Sequence, residues 1–456
     1  MKPSSELNRR RFLQRTVAVA GATQFLSMPA FLSAANPNSK LGIAVIGCDG
    51  MGEGNPGVAA RERLVALVDV DEKRLAKGVK NVEAKVPNPK TYFDYRKMYD
   101  ECGKDIDLVL IATPDHHHAP AAIRAINLGK AAFVQKPLAH NINECYILAK
   151  AAKEKKVMTQ MGNQGHYSGN IRRVCEHIWA GAIGKVTEVH AIMGRNFGGN
   201  KKRPPSEPVP EGLHWDEWLG PAPYRDFHAK LHPFDWRSWR DFGTGTVGDM
   251  ACHNLDALFW ALKLAEAKTY TIECLNTKGG NDEMWPQDNI VRYDFGPRGD
   301  MPAVKIFVYD HGGLKPEIMK ETENKYNMKP KFGECTLFIG DKGMLRSQGT
   351  GGPWELLPGE LRDQIEKPKE ILPPAHGGPI TDIIWCLKNG GTPCSNFPDS
   401  AAPLTSFAQT SHLAQFAGVG RKLEWDVENM KCTNYPEINK FARRTYRPGW
   451  EVEWGV

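Results

Sequence analysis

The stretch Ile43-Ala44-Val45-Ile46-Gly47-Cys48-Asp49-Gly50-Met51-Gly52 decides the fold. A short apolar, mostly β-branched run enters a glycine-rich turn, with a helix expected beyond it. A dinucleotide-binding turn needs glycine where the chain bends sharply, where backbone approaches the pyrophosphate, and where helix packs on strand. Gly47 and Gly52 fill the first and third places, while Asp49 stands at the second. A carboxylate there crowds or repels a phosphate unless it points outward; Gly50 beside it restores clearance. Gly47, Asp49, Gly50, Met51 and Gly52 are the candidate cofactor turn, although a glycine turn alone also fits a purely structural role. The next apolar run, residues 64–68, ends at Asp69. An acid about twenty residues past the turn hydrogen-bonds ribose hydroxyls and repels a 2′-phosphate, so NAD is expected over NADP. Asp69 and Asp71 could instead cap the next helix, and Asp71 is given that role.

Further short apolar runs lie at residues 108–111, 132–134 and 157–161. Strands so uniformly apolar are covered on both faces, the mark of a parallel sheet alternating with helices. Residues 40–161 are therefore read as an α/β dinucleotide-binding domain of Rossmann type. After a helix over residues 171–179, strand-like segments at 185–193, 270–275, 289–293 and 305–309 follow without regular helices between them. They predict an α+β domain over 162–456 with a largely antiparallel, open-faced sheet. The Pro- and Trp-rich stretch 196–242 is too long for a routine connection and reads as an ordered functional loop. Residues 400–416 look helical, and the C-terminal segment is expected to pack back on the first domain.

Length agrees, since 456 residues exceed what one core usually organises. Residues 1–35 read as a twin-arginine export signal: Asn8-Arg9-Arg10-Arg11-Phe12-Leu13, a mild apolar run, then Ser33-Ala34-Ala35. That run is shorter than the roughly 18 apolar residues a spanning helix wants, so export to the periplasm or beyond is expected, with no membrane span. The segment holds five Lys or Arg and one Glu, or +4 of the total +6, which leaves only +2 for the rest. So small a charge gives no footprint for nucleic acid. Ten cysteines without C-x-x-C spacing argue against a zinc site or a disulfide framework.

Chemistry-bearing residues fall where open α/β sheets bind ligands, at the carboxyl ends of strands. One strand ends in Ala112-Thr113-Pro114-Asp115-His116-His117-His118, the next in Val134-Gln135-Lys136-Pro137. Three adjacent histidines point in different directions on a helix and do not make a metal site; His116 and His117 read as solvated first-turn residues. In the second half, Gly248-Asp249-Met250-Ala251-Cys252-His253 puts Asp249 and His253 four apart, on one face of a helix. An ordinary helix pair would look the same.

Taken in order, these motifs resemble the glucose-fructose oxidoreductase and inositol dehydrogenase (Gfo/Idh/MocA) family, in an exported branch, from about residue 40 onward. Lys136 matches the family's Glu-Lys-Pro lysine, with Gln135 replacing the glutamate; His118 matches the histidine of Thr-Pro-x-x-x-His; Asp249 and His253 match Asp-x-x-x-His. The resemblance implies NAD(H)-dependent oxidation of a sugar, glycoside or polyol hydroxyl. His253 would be the acid/base with an ordinary pKa, Asp249 would orient it, and Lys136 would meet the reacting oxygen. It further implies cofactor contacts from Thr113, Pro114, His118, Gln135 and Gln164, a carbohydrate as partner, and a homodimer or homotetramer built on an exposed sheet face. Asn163, His166, Trp236 and Arg237 are candidates for substrate contact, with Trp215, Trp218 and Trp239 as further wall residues. His376, ahead of Asp382 and Trp385, is a weaker candidate. Two other readings stay open: an NAD-dependent glycosidase working through transient oxidation, and a catalytically silent sugar-binding protein, the latter prompted by Asp49 and Gln135.

Overall fold

The computed structural model describes residues 39–454, and the expected export signal lies outside them. The first half is built on a six-stranded, all-parallel sheet. Its strands are β1 (Gly42–Ile46), β2 (Arg63–Val68), β3 (Thr91–Tyr92), β4 (Leu108–Ile111), β5 (Ala131–Val134) and β6 (Thr159–Met161), in spatial order β3-β2-β1-β4-β5-β6. Every residue of β1, β4 and β5 is buried, as strands covered by helices on both faces require. The order reverses between β1 and β4, and ligands of such sheets settle at that switch point. The two-residue edge strand β3 carries no apolar run, so sequence pattern alone passes over it.

A second sheet of nine strands follows: β7 (Val186–Ile192), β8 (Thr269–Lys278), β9 (Gln287–Phe295), β10 (Val304–Tyr309), β11 (Cys335–Gly340), β12 (Met344–Gln348), β13 (Trp354–Leu357), β14 (Lys422–Asp426) and β15 (Lys431–Cys432). Its order is β13-β12-β11-β7-β10-β9-β8-β14-β15. All pairs are antiparallel except β7 with β10, which run parallel. The expectation of an antiparallel α+β unit therefore stands with one mixed pair at its centre. The expectation of no helices between these strands does not stand. Gly245–Asn254 and Asp256–Ala261 separate β7 from β8, and they pack their apolar sides into the core beneath the sheet.

The outer face of this sheet is open, as expected, over β8, β9 and β14, where Glu273, Arg292, Lys422 and Glu424 are exposed or half-exposed, but its part over β7, β10 and β11 is covered. Residues around the helix Glu317–Lys325 fold over it, where Met319, Met328 and Phe332 cluster with Ile192, Tyr309 and Leu337. The inner face packs on the helix Ala402–Ala417, which joins the two halves: Gln409 Nε2 donates to Ala139 O at 2.7 Å, and Tyr293 Oη donates to Phe407 O at 3.3 Å. The C-terminal tail returns to the first half. Arg96 Nη1 donates to Gly449 O at 2.8 Å, and Asn127 Nδ2 to Glu453 O at 2.7 Å. All ten cysteines are unpaired thiols. Among the described residues no helix is long and apolar enough to cross a membrane.

Candidate active site

A cleft of about 440 Å³ opens over the carboxyl edge of the parallel sheet, bounded on its other side by the 217–237 stretch, Asp249 and Trp450. Its floor is the glycine turn. Gly47 has φ +89°, and a Cβ there would sit 2.4 Å from Ala112 O; a Cβ on Gly52 would sit 2.3 Å from Gly47 O. Both positions need glycine. Gly47→Ala is accordingly expected to destabilise the fold by about 2 kcal/mol, combining left-handed strain with overpacking, and to lower the melting temperature by several degrees in a thermal unfolding scan.

Asp49 leaves the phosphate position clear. Its carboxylate turns outward to Lys77 Nζ at 2.6 Å and Arg74 Nη1 at 2.8 Å. The Lys77 hydrogen bond, with Arg74 beside it, holds the carboxyl below its ordinary range. Asp69 accepts from Cys48 N at 2.9 Å and Asp71 N at 3.1 Å, which fixes the turn while the residue still lines the cleft. Burial pushes its carboxyl up to about 6. Asp71 caps the helix Glu72–Lys80 as expected, accepting from Lys73 N and Arg74 N.

Met51, Thr113, Pro114 and Gln135 also line the cleft. Thr113 Oγ1 and Gln135 Oε1 are buried without a hydrogen-bond partner. Buried polar groups are nearly always satisfied, so two orphans beside a glycine cradle fit a polar ligand such as a dinucleotide.

At the far end Lys136 Nζ donates to Asp249 O at 2.8 Å and to Asp249 Oδ1 at 3.1 Å, and Arg237 Nε reaches the same Oδ1 at 3.1 Å. Lys136, from the end of β5, thus meets Asp249, from the second half of the chain, in one cleft. Burial would raise the Asp249 carboxyl, but the two cations outweigh it and hold it below its ordinary range. Arg237 is braced by the rings of Trp236 and Phe234, 4.3 Å and 4.4 Å from its guanidinium. Trp215, Trp218, Trp236 and Trp239 are all buried in the core of the 213–242 segment, and of them only Trp218 and Trp236, with Arg237, line the cleft.

Several expectations need correcting. His253 shares a helix with Asp249 but does not line the cleft, and its Nδ1 has no partner. Burial, then the Lys136 charge, pushes its imidazole down to about 3, far from the ordinary value expected of it. Asp249 spends its carboxylate on the two cations rather than on His253. His118 is also withdrawn: Nδ1 lies 2.7 Å from Pro137 O and Nε2 2.9 Å from Thr113 O, so the ring ties two strand ends together from beneath. His116 and His117 are buried, not solvated; both place Nε2 2.9 Å from Trp218 O, and His117 faces the cleft. Gln164 is exposed and outside the cleft. Asn163 and His166 are buried on Asp256, at 3.2 Å and 2.9 Å, in a structural network away from it. His376 stacks on Trp385 and bonds Asp382 at 3.0 Å, also outside the cleft.

Two residues escaped the sequence reading. Asp115 lines the cleft wholly buried, accepting a 2.6 Å hydrogen bond from Thr244 Oγ1. Burial pushes its carboxyl up to about 7, against the Thr244 bond. It is the first variable residue of the Thr-Pro-x-x-x-His step, and its position after β4 was the available signal. Trp450 comes from the tail and had none. Its ring lies under the Arg96 guanidinium at 3.7 Å and meets His117 and Tyr95 edge-on. Removing an aromatic wall forfeits about 1 kcal/mol beyond lost area, so Trp450→Ala is expected to weaken nucleotide binding about tenfold, read by fluorescence titration.

Comparison with known proteins places both halves. Residues 41–163 match the model of an oxidoreductase family with an NAD-binding Rossmann fold, and residues 177–294 match that family's C-terminal alpha/beta domain. Together they account for more than half of the chain. An alpha-N-acetylgalactosaminidase from Shewanella oneidensis is 28% identical over 205 residues, 40% of this chain and 44% of that protein. The match thus spans less than half the length of such curated relatives. Among solved structures, WlbA dehydrogenase from Bordetella pertussis, in complex with NADH and UDP-GlcNAcA, superposes with TM-score 0.56 at 15% identity, covering 84% of this chain and 98% of that one. Aldose-aldose oxidoreductase from Caulobacter crescentus gives TM-score 0.53 at 17% identity, covering 84% and 99%. Likeness at that level establishes the shared fold.

Proposed function

The chain belongs to the Gfo/Idh/MocA oxidoreductase family, and from that premise we propose that it transfers hydride between a hydroxyl of a sugar, glycoside or polyol and a tightly held NAD. The observation that carries this reading is the meeting of Lys136, Asp249 and Arg237 at one end of a cleft whose other end is the glycine turn. NAD is favoured over NADP because Asp69 faces the cleft where a 2′-phosphate would come.

A bound nicotinamide supplies the hydride acceptor; the protein supplies placement and charge. Gly47, Gly50 and Gly52 would give the pyrophosphate backbone without side chains, and Thr113 and Gln135 would hold the nicotinamide end. Lys136, anchored on Asp249, meets the reacting oxygen with a fixed positive charge, which stabilises negative charge developing there. A general base works best with a pKa near the working pH. Among the cleft-lining groups Asp115, at about 7, has that property, and its carboxylate takes the hydroxyl proton. Trp236 and Trp218, both largely buried, back the cleft with apolar ring edges that help exclude water from it.

The twin-arginine segment supports export of the folded holoenzyme. Outside the cytoplasm no free nicotinamide pool exists, so a second substrate must return the hydride in ping-pong fashion. The test uses purified protein. Bound-nicotinamide absorbance should change on adding members of a sugar and glycoside panel, and a preparation unable to take up NAD would sink the proposal. The named glycosidase relative favours a second reading, transient oxidation leading to glycosidic cleavage; net release of an aglycone without any added acceptor would select it.

A further inference from the structure

A second cavity, of about 240 Å³, lies behind the Phe242–Gly245 turn and shares no lining residue with the first. Three guanidiniums border it, from Arg240, Arg443 and Arg444. Arg444 is committed: Nε is 2.9 Å from Glu144 Oε1, and Nη2 donates to His116 O at 2.6 Å. Arg240 and Arg443 form no ion pair among the described residues. Asp282, an exposed carboxylate on the rim, forms no ion pair with either, although its charge acts on Arg240. Burial lowers the pKa of the Arg240 guanidinium, the signature of a cation short of solvent.

Arg240 is held rather than loose. Its guanidinium lies 4.6 Å from the Phe416 ring and 5.3 Å from the Trp285 ring, Phe441 stacks behind Phe416 at 4.1 Å, and His412 behind Trp285 at 3.9 Å. Nε donates to Met284 O at 3.1 Å. Rings steady a cation without neutralising it. His140 and His412 are kept neutral by burial, so the positive charge of the cavity is guanidinium charge.

Unanswered polar atoms join it. Asn141, 9% exposed, caps the helix Ile142–Lys155 through Oδ1 and leaves the Nδ2 donor without a partner; the Arg444 Nη1 donor and Gln409 Oε1, an acceptor, are unpartnered as well. The helix begins at this cavity, and a helix N-terminus favours negative charge. A half-buried Arg240 without an ion pair, the exposed Arg443 beside it, orphan donors on Asn141 and Arg444, and a helix N-terminus all favour an anion, with the exposed Asp282 as the opposing charge on the rim.

We propose that this cavity is a second ligand site, specific for a small oxyanion, the carboxylate or phosphate of a metabolite, bound between Arg240, Arg443 and Asn141. Its volume is below the range of drug-sized pockets, roughly 300–1,000 Å³, which restricts the ligand to a compact one. The site stands independently of the reaction proposed for the first cleft.

The test is calorimetric titration of the full chain, saturated with NAD so that the nucleotide part of the first cleft is filled, using inorganic phosphate and acetate, neither of them a sugar, as separate probes. Saturable one-to-one binding is expected for at least one, and the tighter of the two identifies the oxyanion class. Losing a charge-assisted hydrogen bond weakens binding about tenfold or more, the result expected for Arg240→Gln. Arg443→Gln alters an exposed side chain, leaves folding untouched, and should weaken binding severalfold. Retained NAD binding certifies that Arg240→Gln is folded. Absence of saturable binding for both probes, or binding within twofold of the parent in both variants, overturns the proposal.

Discussion

Lys136→Met is expected to lower turnover by about three orders of magnitude while the nucleotide stays bound. Two effects act in the same direction. The variant removes the fixed charge at the reacting oxygen, and removing one preorganised donor from such a position costs about 10²–10³ in rate. It also leaves Asp249, buried at the same end of the cleft, with Arg237 as its remaining partner. A carboxylate stripped of half its counter-charge repels the developing alkoxide. Single-turnover reduction of bound nicotinamide, measured beside nucleotide content, separates the two quantities. Normal turnover in a variant that still binds nucleotide would refute the role given to Lys136; loss of nucleotide as well would move that role from chemistry to binding.

Asp115→Asn is expected to flatten the dependence of stability on pH between about 4 and 7 and to depress activity at every pH. The sign follows from linkage. The Asp115 carboxyl titrates near 7 when folded, against an ordinary 3.8, so the folded state holds a proton the unfolded state has released. Stability is therefore full below about pH 4, falls as pH rises through the window, and levels off above about 7. A shift of this size corresponds to about 4 kcal/mol at most. The amide keeps the Thr244 hydrogen bond available and carries no charge, so the variant should be more stable than the parent at pH 8 and equal to it at pH 4. Denaturant titrations at the two pH values check the sign. Activity should fall because the amide accepts no proton. A variant with parental activity would exclude Asp115 as the base.

Much of this architecture was legible because the relevant signals are local. The glycine turn, the all-apolar strands and the cap at Asp71 each follow from a handful of neighbouring residues, and Lys136 and Asp249 were legible through the ends of the elements that carry them. The return of the tail to the first half was also expected, but most side-chain roles set by distant partners were not. The spacing of Asp249 and His253 correctly placed them on one helix, but it could not say that Asp249 would be claimed by Lys136 and Arg237, or that His253 would be buried to a pKa of about 3. His118 and His166 looked available because their partners, Pro137 O and Asp256, are brought in by folding. Asp49 appeared hostile to phosphate until the next helix delivered Arg74 and Lys77. The partial cover over β7, β10 and β11 went unread because residues 310–334 carry no strong pattern that announces it.

The path of the tail has a consequence for biosynthesis. Arg96 waits for Gly449, 353 positions downstream, and the Trp450 indole arrives with it. On a ribosome that interval is tens of seconds, at roughly 5–20 residues per second. The nucleotide-binding half therefore emerges and collapses early, with a gap in its wall that closes only once residues 449–450 have been made. Until Trp450 arrives the cleft lacks one of its aromatic walls, so nucleotide taken up by the shorter nascent polypeptide is expected to leave faster than from one that already includes residues 449–450.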